Sequence, residues 1–172
     1  MHPILQKLTG SDRRSIGKSN QVVTQVLKNP RLFRVVFEGM LDADPIVRMR
    51  CADATEKITA QRPELLRPCK RTLIQSVAKI EQPEVRWHVA QMFSRLALTP
   101  CEHRAVVAIV REDLNDKSRI VRTFSMQALA DIAAQDAALR RAIVKQLEKL
   151  ARTGTPAMQA RGHKLLAKLK AK

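Results

Sequence analysis

Apolar and small residues recur along this chain at helical spacing. Val47, Cys51, Ala54, Thr55 and Ile58 stand at offsets 0, 4, 7, 8 and 11, which is one face of a helix. The same offsets run from Val85 through Val89, Met92, Phe93 and Leu96. They run again from Val121 through Ser125, Ala128, Leu129 and Ile132, and from Met158 through Gly162, Leu165, Leu166 and Leu169. The four starting positions lie 38, 36 and 37 residues apart. Proline follows a residue able to cap at Asp44-Pro45 and Thr155-Pro156, and less well at Gln82-Pro83. Ser118 is placed to cap the third copy.

Each of these helices is preceded by another. Pro30 opens one through about Leu41, and Pro63 opens one through about Ile80, irregular at Pro68. Thr99-Pro-Cys-Glu102 is a capping box opening a helix to about Leu114, and Asp136 opens another to about Arg152. An earlier helix over about Asp12–Leu27 reads as a cap. The expectation is a single all-α domain over 1–172, with an N-terminal cap over 1–29 and helix pairs over 30–60, 63–97, 99–134 and 136–170. Only five glycines and no β-type alternation leave no segment that reads as a strand.

The start of each second helix is informative. Pro-x-Val-Arg at Pro45–Arg48 and Pro83–Arg86, with Asp42 six residues before Arg48 and Asp116 six before Arg122, resembles the HEAT repeat. The likeness covers roughly residues 30–170. It implies a right-handed α-α superhelix, a HEAT-like solenoid, with a ladder at the helix turns built from Asp42, Arg48, Arg86, Asp116 and Arg122. The second copy departs, with Glu81 five residues before Arg86, and the last has Thr153 and Gln159 in place of the pair. The resemblance also implies that the second helix of each pair lines a concave face. At 100° per residue, offsets +2, +6 and +9, flanked by +3 and +10, lie opposite the buried stripe. Those offsets select Met49, Arg50, Trp87, His88, Gln91, Arg95, Phe124 and Gln127 as binding candidates, with Met49, Trp87 and Phe124 forming an apolar strip.

Charge adds a second surface. The net charge is +16, and residues 137–172 hold ten basic residues against Glu148 alone. Arg161, Lys164 and Lys168 share one helical face, and Arg140, Arg141, Lys145 and Lys149 form a row on the preceding helix. Together they are expected to make one dense basic end. An anionic macromolecular partner follows, and scarce aromatics favour an acidic protein over a nucleic acid.

Candidate chemistry is thin. Gly17-Lys18-Ser19 ends like a P-loop, but Asp12 stands where the first glycine belongs. His88, His103 and His163 fall on different helices without motif context. Some HEAT-like proteins are DNA glycosylases, and Trp87 near Glu84, Asp53 and Glu56 offers a faint version of such a site. The expectation is a non-enzymatic binding scaffold without metal, cofactor or small-molecule substrate. Cys51, Cys69 and Cys101 read as reduced, mostly buried thiols. No apolar run reaches the roughly 20 residues of a membrane span, and no signal peptide is evident, so a cytoplasmic location is expected.

Overall fold

A computed structural model describes residues 1–171. The protein is 78% helical, with no strand among the described residues. The chain packs as two compact units, Met1–Ala97 and Leu98–Lys172, with the division between the second and third of the expected pairs. The four stripes are buried as the periodicity requires. Val47, Val85 and Val121 are wholly inaccessible and Met158 nearly so, as are Ile58, Leu96, Ile132 and Leu169 eleven residues on. Only Leu166 among the large stripe residues is half-exposed.

The first unit holds α1 (Pro3–Gln6), α2 (Ser19–Lys28), α3 (Phe33–Glu38), α4 (Pro45–Gln61), α5 (Lys70–Gln75) and α6 (Pro83–Phe93). The first helices of its two pairs are broken. Pro30–Leu32 and Gly39–Leu41 are 3₁₀ turns on either side of α3, and Pro63–Cys69 and Val77–Lys79 flank α5 in the same way. Pro68 explains the second case: it lacks an N–H and its ring clashes with a preceding carbonyl. By contrast α4 is continuous, with Asp44 Oδ1 accepting from Ile46 N at 2.8 Å and Pro45 in the first turn.

α4 is the central element, packed by α2, α3 and α6. Met49 and Arg50, expected on an open concave face, are 7% and 4% exposed. The reason is the N-terminal segment. The expected cap helix over Asp12–Leu27 begins only at Ser19, and the residues before it wrap onto α4. Arg50 is their anchor. Its Nε donates to Ser15 O at 3.0 Å, Nη2 to Asp12 O at 3.0 Å, and Nη1 to Leu8 O at 3.1 Å and to Thr9 O. Gly10 (φ +145°) and Gly17 (φ +55°) bend the loop around the guanidinium, and a Cβ at either would come within 2.9 and 2.8 Å of it.

Arg48 and Arg86 stand at equivalent places, at the starts of α4 and α6. Arg48 Nη1 donates to the backbone carbonyls of Asp42 (2.8 Å) and Ala43 (3.0 Å), and Nε reaches Gln82 Oε1 at 3.0 Å. Arg86 Nε likewise reaches the carbonyl six residues back, Ile80 O, at 3.3 Å. The Asp42 and Asp116 carboxylates also accept the backbone N–H two residues on, from Asp44 (2.9 Å) and Ser118 (2.7 Å), closing Asx turns. Gln82 does not cap α6; its amide donates to Pro45 O at 2.9 Å while its oxygen takes Arg48, joining the two pairs. Arg122 Nε is buried without an acceptor.

The second unit holds α7 (Pro100–Asp113), α8 (Arg119–Gln135), α9 (Ala137–Thr153) and α10 (Pro156–Lys170), all unbroken. The capping box at Thr99 and Glu102 is formed, and Asp136 Oδ1 accepts from Ala138 and Leu139 N. α8, α9 and α10 pack mutually, with α9 and α10 so close that a Cβ on Gly162 would stand 2.8 Å from Ala151 Cβ. No helix among the described residues is long and apolar enough to cross a membrane.

Replacing Arg50 with Met leaves four carbonyls without their donor, so Arg50→Met should cost about 3 kcal/mol or more. Urea unfolding measures the loss, and amide exchange should show residues 8–18 deprotected well before α8–α10. Equal protection of that segment in variant and parent would contradict the anchor role.

Candidate functional site

Within the first unit the positions expected to be open on α4 and α6 are engaged in polar contacts or partly buried. Asp53 is 8% exposed, and its Oδ2 accepts from Ser19 Oγ and from Lys57 Nζ at 2.8 Å. Lys57 also reaches Asn20 Oδ1 at 2.9 Å. These bonds tie the start of α2 to α4. Arg95, expected as a groove cation, folds onto the end of α4: Nη1 donates to Glu56 O (2.6 Å) and Thr59 Oγ1 (2.8 Å), and Nη2 pairs with the Glu56 carboxylate. Gln91 donates to Trp87 O at 3.2 Å.

His88 lies amid this charge. Burial holds its pKa below the ordinary 6.5; Asp53 and Glu56 oppose that shift, and Lys57 and Arg95 reinforce it. Its Nδ1 is buried without a partner, and the ring stands 5.6 Å from that of Trp87. Trp87 is half-buried, so the expected apolar strip keeps only part of its exposure here: Met49 is covered and Trp87 is partly open.

In the second unit Phe124 is half-buried, and the Arg161 guanidinium lies 5.9 Å over its ring. Gln127 donates to Asp131 Oδ1 at 2.9 Å. Lys168 lines a small cleft with Gln127, Ala130 and Asp131, so the row Arg161, Lys164, Lys168 looks toward α8. The α9 row sits elsewhere. Arg141 and Lys145 line an open depression made only of α9 residues, with Ala137, Val144 and Glu148. The two rows therefore do not merge into the one basic end expected from sequence. The physical reason is rotational: Gly162, which packs against Ala151 of α9, lies about 130° around α10 from the basic row. Arg140 is also partly engaged, its Nη2 donating to Leu169 O at the end of α10. Arg141, Lys145, Lys149, Lys164 and Lys168 remain exposed, and none forms an ion pair among the described residues.

One histidine–carboxylate pair was missed by the sequence reading. His103 Nδ1 lies 3.0 Å from Asp136 Oδ2, joining α7 to the N-cap of α9, with Nε2 buried and unpartnered. The spacing of 33 residues carries no recognisable signal. Cys51 and Cys69 are buried, and burial raises both thiols; Cys101 is exposed at the start of α7, so the thiols are mostly buried as expected. No group of three or more His, Cys, Asp or Glu residues among the described residues is arranged to hold a metal.

No family model, curated protein or solved structure matches this chain.

Because burial lowers the folded-state pKa of His88, the unfolded chain takes up that proton first as pH falls below about 6.5. Stability should therefore drop between pH 7.5 and 5, and His88→Gln should flatten this part of the profile. Urea midpoints followed by the emission of Trp87, the single tryptophan, test it. Parallel profiles for parent and variant would exclude His88 as the group responsible.

Proposed function

We propose that the chain is a non-catalytic binding module, built of HEAT-like helix pairs, whose second unit receives an acidic macromolecule, a protein in preference to a nucleic acid. The observation that carries this reading is the row Arg141, Lys145, Lys149 on α9, exposed and without ion pairs among the described residues. Four-residue spacing sets these cations about 6 Å apart along the helix. Like charges so close repel, and an anionic surface relieves that repulsion. Lys164 and Lys168 present a second, smaller cationic surface on α10.

Two observations favour a protein. Base stacking would need exposed aromatics, and Phe124, one of the two aromatics of the expected concave face, already carries Arg161 on its ring. Trp87, the other, is half-buried and packed beside His88. The repeat reading is supported by the four equivalent buried stripes and by Arg48 and Arg86 each reaching the carbonyl six residues back. Three free thiols are in keeping with a reducing, cytoplasmic setting.

A nucleic-acid reading draws on the same row, since a 6 Å spacing of cations is close to that of phosphates along a strand. Anisotropy titrations at about 0.15 M salt separate the two, using a labelled polyglutamate and a DNA duplex as probes. Polyglutamate should bind more tightly, and the triple change Arg141→Glu, Lys145→Glu, Lys149→Glu should weaken it at least about tenfold while leaving the helical circular dichroism intact. Tighter duplex binding with a steep salt slope would overturn the protein reading.

A further inference from the structure

We infer that the outer face of α9 and α10 is a docking trough for an acidic amphipathic helix; this rests on the acidic-partner reading and specifies its chemistry. Ala137, Val144 and Ala151 recur every seven residues on α9. A seven-residue apolar repeat keeps one seam in line along a helix face. Ala137 is exposed and Val144 half-exposed, while Ala151 is 4% exposed and packs against Gly162 of α10; the lining residues of α9 run from Ala137 to Arg152, about 22 Å, or four turns. They border two open depressions. One, of about 610 Å³, contains Ala137 and Val144; the other, of about 340 Å³, contains Ala151 and, from α10, Leu166. Glu148 lines both, so the two lie side by side on the outer face of α9.

The walls of the trough are cationic. Arg141, Lys145 and Arg152 stand on the α9 side and Lys170 on the α10 side, against the single acid Glu148. Val144 and Leu166 are half-exposed on its floor. A phosphate backbone would satisfy the walls but leave this floor unused. An extended peptide would find no strand edge to pair with, since the described residues contain no strand. A helix satisfies both features. Its apolar ridge lies along Ala137 and Val144 of α9 and Leu166 of α10, and acids on the flanks of that ridge meet the arginines and lysines. The fitting segment is about four turns long, with apolar residues at i, i+3 or i+4, and i+7, and Asp or Glu beside them.

The test uses the full chain and two synthetic peptides of identical composition, rich in Leu and Glu. One places its leucines on a single helical face; the other is scrambled. Polyglutamate and duplex DNA complete the set. The amphipathic peptide should bind at least about tenfold more tightly than the scrambled one. Methyl resonances of Val144, Ala151 and Leu166 should shift on binding. Arg141→Glu with Lys145→Glu should abolish this binding, and a peptide carrying Lys in place of Glu should restore it. Equal binding of both peptides, or shifts confined to Lys164 and Lys168, would overturn the trough while leaving the acidic-partner reading in place. Binding of duplex DNA with no binding of any acidic probe, or no binding of any probe, would overturn both.

Discussion

The first unit is organised around a guanidinium among backbone carbonyls. Arg50 is 4% exposed, and its hydrogen bonds go to four carbonyl oxygens of one N-terminal loop. A buried cation without such partners would be costly, and a buried loop without such donors would be costly too. Each satisfies the other. With the loop held down, α4 is enclosed, and its uneven polarity makes sense: Met49, Arg50 and Asp53 are buried on a side that an open second helix would leave to water. Ser19 and Lys57 then complete the polar contacts of Asp53 at the start of α2.

The helices were legible because their signals are local. Stripe offsets, Pro at first-turn positions, and the caps at Asp44, Thr99, Ser118 and Thr155 all act within a few residues, and each is formed. Failures came where the answer depended on distant chain. Nothing within α4 reveals that residues 8–17 will cover it. The spacing of Asp42 and Arg48 correctly brought them together, but spacing does not distinguish a carboxylate from the carbonyl of the same residue. Gln82 looked like a weak cap and proved to be a link between pairs, because its amide can donate and accept at once.

The candidate surfaces were legible to a lesser degree. Helical periodicity put Arg161, Lys164 and Lys168 on one face and the α9 cations on another helix, but it does not say which faces of two packed helices become neighbours. Tertiary packing separated the rows and drew Arg161 onto Phe124 and Arg140 onto Leu169 O. What survives as a free cationic row is Arg141, Lys145 and Lys149. Arg48, Arg50 and Arg95 of the first unit are absorbed by structure, whereas the α9 row is left to solvent.

The Arg50 loop also carries a consequence for the order in which the chain acquires structure. Its contacts span 35 to 42 residues, so residues 8–15, made before α4, are among the last of the first unit able to settle. Leu8 to Ser15 must wait as an unpaired strand of carbonyls until α4 has been synthesised and has formed. During that interval Val22, Val23 and Val26 of α2 have no α4 to lie against. The nascent first unit is therefore most vulnerable to proteolysis and misassociation until residue 50 has emerged and its side chain has found the loop.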